Sequence, residues 1–520
     1  MQKALGDEKD RVKLPKRAHD VAMQQLTSCR GARKSLASLL VVFSMGCPDA
    51  STAHDAGQVD TSSVLHDAHA SDDADQDASL ATEDAPMSTG DFRHACMDAP
   101  EAVFHPTVTG ALTMERRGEI LACATIATLS QADAQTYINN LGVPGAMPFQ
   151  SVRVLRVAYA TMRNDTQGGV GTALVFAPLF DVNAPSAIVV AAHGTLGAAD
   201  VCAPSAITDL NVYALASDRL ALAPLAAGLP VIAPDYAGLG TDGIAGTFDG
   251  RDTGYSTLDA SRALDALLPD ARTDGRVFMI GHSQGGGAVL AAQALERTYG
   301  AGGDLQDVVA SAPGWPVTPS ISLFQAPWLS TGYGSLYALA VHAYFANYEG
   351  LERAGDGFNA TRRDAILDIL NTQCVYPGVG SASSLITTIP AVAPTLGDLF
   401  DETFRAGVVS CGTGGACEGA AARFYAFLQA NVLTVDPAGA SITLLQGQSD
   451  VVVPAATTAC TVQKLMRDGM VPTVCVDTSD HSTSVASNLA FLRSWFEARA
   501  RGMSPPACRL PLVLPACFGT

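Results

Sequence analysis

The stretch MIGHSQGGGAV (residues 279–289) places a serine between glycines, directly after an apolar run and before a segment of helical period. Its centre, GHSQG at 281–285, matches the pattern G-x-S-x-G. The run RVFMI before it predicts a strand and GGAVLAAQALE after it predicts a helix, which is the context of a nucleophile elbow. Small residues beside the serine allow the sharp turn that exposes its hydroxyl. We therefore predict Ser283 as a nucleophile, on an elbow formed with Gly281, His282 and Gly285.

A serine hydroxyl needs a base, usually an imidazole that a carboxylate orients. Of the ten histidines, His481 is the one that follows the last predicted strand and precedes the last predicted helix. Asp450 ends the strand before it, at the sheet edge where catalytic groups gather in α/β proteins. Asp477 and Asp480 are alternatives, but they lie on the strand and loop of the histidine itself. The order Ser283, Asp450, His481 is that of the α/β-hydrolases.

Two N–H groups are needed to stabilise the oxyanion that such a serine would generate. Gln284 follows the nucleophile and is the predicted first donor. The second donor is predicted in the loop HGTLG after the strand AIVVAA, where we choose Thr195 and keep Leu196 as the alternative. Asp235 in APDYAGLG precedes the serine, so we interpret it as a structural turn residue.

From about residue 150 onward, short β-branched runs alternate with helical segments, which predicts a mainly parallel, doubly wound sheet. The first two runs, SVRVLRVAYA and GVGTALVFAP, are expected to form an antiparallel edge. The alternation stops over 317–436, where the periodic segments are helical, and this predicts an inserted helical cap domain. The hydrolase core is therefore expected in two parts, 92–316 and 437–502.

Composition excludes several classes of protein. The 520 residues are 48% hydrophobic and 16% charged, which is ample for a large core and rules out disorder of the chain as a whole. The net charge is −19, and no basic cluster accompanies the predicted core. Because phosphate backbones are bound by clustered Lys and Arg, a nucleic-acid partner is not expected.

Residues 1–47 carry 9 Lys and Arg against 4 Asp and Glu, and end in CRGARKSLASLLVVFSMGC. The apolar run there is too short to span a bilayer and predicts an export signal, and FSMGC resembles a bacterial lipoprotein signal that would lipidate Cys47. Ser44 departs from that pattern, which usually has an aliphatic residue. Residues 48–91 hold 11 acidic and no basic residues, which predicts a disordered acidic tether. The chain is expected outside the cytoplasm, secreted or anchored to the cell envelope.

Ten cysteines follow the signal, and an even number suits disulfides in an oxidising compartment. Short loops suggest the pairs Cys411–Cys417, Cys460–Cys475 and Cys508–Cys517, the last closing a tail over 503–520. None of the spacings is typical of a zinc site, so no metal is predicted.

The segments GHSQGG, VIAPDYAGLG, GQSDVVVP and DHST, with the helical insertion, resemble the secretory lipases over about residues 100–500. These are α/β-hydrolases with a lid-bearing helical cap over an acyl pocket. The resemblance implies hydrolysis of carboxylic esters, often of fatty acids, with no cofactor, by Ser283, Asp450 and His481. It also implies a disulfide, Cys202–Cys374, between the loop after the third strand and the cap. The tether, the lipoprotein-like signal and the cysteines near the C-terminus depart from the family.

The sequence therefore predicts an exported lipase or esterase that works through an acyl-enzyme. An acyltransferase or peptidase with the same triad is the first alternative. The second is a non-catalytic binding protein on a hydrolase scaffold, whose mark would be the loss of a triad residue; all three are present.

Overall fold

The computed structural model describes residues 92–180, 186–268, 273–316, 324, 333–508 and 513–517. The predicted export signal with Cys47 and the acidic tether at 48–91 lie outside the described residues. Within the described part, no helix is long and apolar enough to cross a bilayer.

One nine-stranded sheet organises the chain, in the order β1-β2-β3-β5-β4-β6-β7-β8-β9. The first three strands and β5 pair antiparallel, whereas β5, β4, β6, β7, β8 and β9 run parallel. This arrangement confirms the predicted α/β-hydrolase sheet. The strands are β1 (Ile120–Ser130), β2 (Ser151–Met162), β3 (Gly168–Leu179), β4 (Ser186–Ala192), β5 (Val231–Ala237), β6 (Thr273–His282), β7 (Asp304–Ser311), β8 (Ser441–Gly447) and β9 (Thr473–Asp477).

The predicted antiparallel pair is present as β2 and β3, but the edge of the sheet is β1, which the sequence analysis did not identify. The segment ILACATIATLS is only partly buried and is rich in Ala, Thr, Cys and Ser. Such small residues give a weak apolar alternation, although the strand pairs with β2 over nearly its full length.

Alternating side chains of each central strand serve two hydrophobic cores, one on each face of the sheet. In β6, Val277 and Met279 belong to the core that contains α4 and α5, whereas Phe278 and Ile280 face the opposite core. The described helices are α1 (Gln131–Asn140), α2 (Leu210–Ala216), α3 (Leu222–Ala226), α4 (Gly250–Leu267), α5 (Gln284–Tyr299), α6 (Tyr333–Tyr344), α7 (Arg363–Thr372), α8 (Leu385–Val392), α9 (Leu396–Leu399), α10 (Glu402–Gly412), α11 (Gly419–Ala430), α12 (Ala455–Arg467) and α13 (Ser484–Ala500).

Between β7 and β8 the described residues form the helices α6–α11, which share a hydrophobic core of their own, separate from the two sheet cores. This segment, the helical insertion, is joined to the sheet domain by a disulfide and by several hydrogen bonds. The disulfide Cys202–Cys374 links it to the region after β4. Val375 N donates to Leu196 O at 2.7 Å, and Tyr348 donates to Asp249 Oδ2 at 2.5 Å, at the N-terminus of α4.

The described cysteines form five disulfides, and two of the predicted pairs are wrong. Cys411–Cys417 and Cys202–Cys374 are present as expected. A further disulfide, Cys96–Cys123, is also present. Cys460 pairs with Cys517 and Cys475 with Cys508, in place of the expected Cys460–Cys475 and Cys508–Cys517. The C-terminal tail is thus fastened to β9 and α12 rather than closed on itself. Short sequence separation was a poor guide here because Cys508 and Cys517 lie against different elements, β9 and α12.

Candidate active site

The turn from β6 into α5 holds Ser283 in a conformation that L-residues rarely adopt, with φ 54° and ψ −117°. Its backbone is fixed from the neighbouring strand: Ser283 N donates to Ser311 O at 2.9 Å, and Gly314 N donates to Ser283 O at 2.8 Å. The glycines are sterically required, because a Cβ at Gly285 would overlap the carbonyl oxygen of Ala192 on β4. These features are those of a nucleophile elbow.

The turn after β8 places Asp450 against His481, with 2.7 Å between Asp450 Oδ2 and His481 Nδ1. The other oxygen of Asp450 accepts the N–H groups of Val452 and Val453, each at 2.8 Å. Asp450 is 4% exposed, and each of its two carboxylate oxygens is held by a hydrogen-bonding partner. It therefore orients the imidazole so that Nε2 is free to exchange a proton.

The alternative carboxylates lie elsewhere. Asp477 Oδ1 accepts the backbone N–H of Ser479 at 2.8 Å, and Asp480 Oδ1 accepts that of Thr483 at 2.9 Å. Neither hydrogen-bonds to the imidazole of His481 in the described part of the chain.

A hydrogen-bonded chain connects the histidine loop to the elbow. Ser484 Oγ donates to His481 O at 3.2 Å and lies 3.1 Å from Ser311 Oγ, while Ser311 O accepts Ser283 N. Within the described residues, no hydrogen bond joins Ser283 Oγ to His481, so the contact needed for proton transfer is not closed in this conformation. Such contacts often tighten only when substrate binds.

Both predicted oxyanion donors lie in segments that flank the nucleophile. Gln284 is the first residue of α5, where backbone N–H groups have no acceptor within the helix. Thr195 follows Gly194, whose Cβ, if present, would lie 3.4 Å from Ser283 Cβ. The Thr195 hydroxyl is buried without a partner, and Leu196 O is bound by Val375 N.

Asp235 is not a turn residue, contrary to expectation. It lies within β5, fully buried, and accepts Ser205 N at 3.1 Å and the Thr172 hydroxyl at 2.8 Å. Burial raises the pKa of its carboxyl to about 7. Tyr236, still within β5, and Gly238, just after it, have left-handed φ values of 72° and 78°. Asp235 is therefore structural, as expected, but it acts from a strand.

The sequence analysis missed one acidic residue of this site, Asp218. Its Oδ2 accepts Gly194 N at 3.1 Å and lies 3.0 Å from His282 Nδ1. Burial by itself lowers the pKa of His282, but the Asp218 carboxylate outweighs that effect, so the pKa is raised. The His282 ring in turn lies 4.6 Å from the ring of His481. An aspartate in the run ALASDRLALAP gives no sign of this contact, because the contact depends on tertiary structure.

Among the described residues, no group of three or more His, Cys, Asp or Glu side chains is placed to hold a metal ion.

Residues 206–388 match a protein-family model described as "Secretory lipase". The match covers about a third of the chain and shows what this segment is similar to. It confirms the resemblance seen in the sequence motifs and the predicted enzyme class, a carboxylic ester hydrolase. No curated protein matches the chain.

Solved structures agree with the α/β-hydrolase fold. A ligand-bound rice cell wall degrading esterase, LipA of Xanthomonas oryzae, superposes with a TM-score of 0.57 at 17% identity, covering 74% of this chain and 100% of that one. Lipase A of Candida antarctica in its closed state gives a TM-score of 0.55 at 18% identity, covering 79% and 89%. At such identities the similarity establishes the fold, and the residues of the site must be argued from their own geometry.

The segment that matches the family model contains only part of the candidate site. Ser283, Gln284 and Asp218 lie within 206–388, whereas Asp450, His481 and Thr195 lie outside it. The pairing of Asp450 with His481 therefore rests on the structure and on chain order.

Proposed function

We propose that this protein is an exported serine hydrolase that cleaves carboxylic esters through Ser283, Asp450 and His481. The observation that carries the proposal is the buried Asp450–His481 pair at 2.7 Å, placed beside a serine on a strained elbow. Strained backbone of this kind is retained where the surrounding structure requires it, and it clusters at active sites.

In this mechanism Ser283 Oγ attacks the acyl carbon and His481 Nε2 takes its proton. Asp450 holds the Nδ1–H tautomer and stabilises the imidazolium, while the backbone N–H groups of Gln284 and Thr195 stabilise the oxyanion. The proton then passes to the leaving alkoxide, which frees the alcohol and leaves an acyl-enzyme. Water, deprotonated by His481, releases the acid.

An apolar cavity supports an acyl substrate. A small cavity of about 20 Å³ borders Gln284 at the start of α5, and its walls include Phe248, Ala288, Trp315 and Pro316. A cavity of that size holds about one water molecule, so we propose that the acyl chain widens this space as it enters and that the helical insertion forms a cap above it.

Five disulfides in the described chain support an oxidising, extracytoplasmic location. We propose export directed by residues 1–47, with anchoring through a lipidated Cys47 if the lipoprotein-like signal is used. Fractionation of cells that express the chain or Cys47→Ala tests the anchor. Release of only the variant from membranes supports it, and equal distribution of the two proteins rules it out.

The decisive experiment is hydrolysis of p-nitrophenyl esters from acetate to palmitate by the chain, Ser283→Ala and the matched control Ser494→Ala. Ser494 lies exposed on α13, where its hydroxyl bonds only to Ala490 O. Turnover lost in Ser283→Ala and kept in the control supports the proposal. A preference for long chains identifies a lipase and a preference for short chains an esterase.

Two other outcomes would replace the proposal. If a fluorophosphonate labels Ser283 but no ester is hydrolysed, the same triad serves an acyltransferase or peptidase. If neither labelling nor turnover occurs, the chain is a binding protein on a hydrolase scaffold.

A further inference from the structure

One carboxylate oxygen joins the two segments that carry the nucleophile and the proposed oxyanion donor. Asp218 Oδ2 accepts the N–H of Gly194, at the start of the loop that holds Thr195, at a distance of 3.1 Å. The same oxygen lies 3.0 Å from Nδ1 of His282, the residue immediately before Ser283, in an ion-pair contact that lacks the alignment of a hydrogen bond. Asp218 itself belongs to neither segment, since it follows α2.

The backbone at this point is held in an unfavourable conformation. Asp218 and Arg219 have φ values of 54° and 59°, two consecutive left-handed residues that are not glycine. The end of α2 maintains this turn, because Arg219 N donates to Ala214 O and Ser217 N to Tyr213 O, both at 2.8 Å. Glycine is the usual residue for such a helix end. An aspartate tolerated there indicates a requirement for its side chain, which glycine lacks.

The carboxylate also reaches the catalytic histidine through one intermediate. The His282 ring lies beside the ring of His481, with 4.6 Å between centroids, and His481 is bound on its other side by Asp450. Two aspartate–histidine pairs are thus placed with their imidazole rings in contact. The His282 ring is 3% exposed and the Asp218 side chain 16% exposed, so water competes little for their interaction.

We propose that Asp218 is a positioning residue of the ester hydrolase site: its Oδ2 fixes the Gly194 amide, and hence the Thr195 loop, and orients His282 against His481. This inference rests on the proposed function and identifies a residue of that site outside the triad. It predicts an effect on the transition state, since the oxyanion donor and the base act there and contribute little to substrate binding.

The test compares Asp218→Asn and Asp218→Gly with the control Asp209→Asn, all in the full chain. Asparagine keeps one oxygen but replaces the charged acceptor by a weaker, neutral one, and glycine keeps the left-handed backbone while removing the side chain. Asp209 is exposed at the other end of α2, where asparagine caps equally well. We expect kcat to fall about 10- to 100-fold in both Asp218 variants, with KM within about twofold and an unchanged melting temperature. The control should match the parent.

Hydrogen–deuterium exchange of the peptide over 190–197 provides a readout that does not depend on turnover. Loss of the Asp218 acceptor should accelerate exchange at the Gly194 amide in both Asp218 variants and not in the control. Unchanged kcat with unchanged exchange overturns the proposal. So does a fall in kcat without faster exchange, because Asp218 would then act by another route. Faster exchange in a chain whose parent hydrolyses no ester would support the positioning contact and reject the proposed function instead.

Discussion

The carboxylate of Asp450 illustrates how much one side chain determines at this site. One of its oxygens lies against His481 Nδ1, and the other accepts two backbone N–H groups. An asparagine can keep the backbone contacts through its single oxygen, but it then presents an amide N–H to the imidazole. That change would stabilise the wrong tautomer.

We predict that Asp450→Asn lowers kcat by about 10³- to 10⁴-fold with little change in melting temperature. Steady-state hydrolysis and thermal unfolding measure the two quantities. The matched control is Asp480→Asn, at the residue immediately before His481, whose carboxylate accepts the N–H of Thr483. A larger loss of kcat in Asp480→Asn than in Asp450→Asn would indicate that Asp480 is the triad carboxylate.

A second prediction concerns the packing of the elbow. A methyl group at Gly285 would overlap the Ala192 carbonyl oxygen, which belongs to the strand backbone and is not free to move aside. Gly285→Ala should therefore lower the free energy of unfolding by on the order of 3 kcal/mol or more, and reduce kcat as well.

The control for that substitution is Gly397→Ala, on the exposed surface of α9 with only the Thr395 hydroxyl near the added carbon. It should leave both quantities unchanged or raise stability slightly, because alanine is the better helix former. Chemical denaturation curves distinguish the cases, and a Gly285→Ala protein as stable as the parent would contradict the overlap.

At the level of residues, the sequence could identify groups whose role depends on local pattern or chain order. Ser283 stands in a motif of five residues, and Asp450 and His481 follow from the order of strands. Asp218 could not be found in this way. Its left-handed backbone and its contacts with Gly194 and His282 arise only when three separate segments meet.

Among the elements, the helical insertion is joined to the sheet domain by one disulfide of the described cysteines and by several hydrogen bonds. The disulfide Cys202–Cys374 closes 172 residues, whereas Cys411–Cys417 closes 6 within the insertion. Because a cross-link restricts the unfolded chain more when the loop is longer, the two bridges should differ in their effect on stability.

We predict that Cys202→Ser with Cys374→Ser lowers the free energy of unfolding by about 5 kcal/mol, against about 2 kcal/mol for Cys411→Ser with Cys417→Ser. Denaturant titration of the two double variants gives the comparison. Equal losses in the two double variants would show that strain or residual structure, rather than loop closure, determines how much each bridge stabilises the fold.

The elements that sequence patterns located well were those with strong apolar contrast. The parallel strands β4–β8 are almost wholly buried and were recognised from their apolar runs. The edge strand β1 was missed because its Ala- and Thr-rich surface is only partly buried. The tail disulfides were misassigned because connectivity depends on where the tail lies and not on spacing.

For the molecule as a whole, three buried carboxyls make stability depend on pH. Burial raises the pKa of Asp235 and of Asp252 to about 7 and that of Asp259 to about 6, from an ordinary value of 3.8. The folded state therefore holds these protons more tightly than the unfolded state. Their contribution to stability is complete below about pH 4 and is lost as the pH rises to about 7.

We predict that the free energy of unfolding falls between pH 4 and pH 7 and that Asp235→Asn flattens this slope. The amide mimics the protonated carboxyl, and the variant should lose less stability than the parent, by an amount on the order of a few kcal/mol at pH 8. Urea denaturation at pH 5 and at pH 8 measures it. An identical slope in Asp235→Asn would show that Asp235 is ionised in both states.

The two disulfides of the C-terminal tail also change what a protease can accomplish. His481 lies between Cys475 and Cys508, which are joined to each other, so one cut anywhere in 476–507 leaves both fragments covalently attached. Cys517, three residues from the last residue, is likewise bonded to the helix at Cys460. A molecule cut once in this loop would therefore run as one band on a non-reducing gel and separate into two fragments only after reduction. The fragment that carries His481 would stay attached to the rest of the protein.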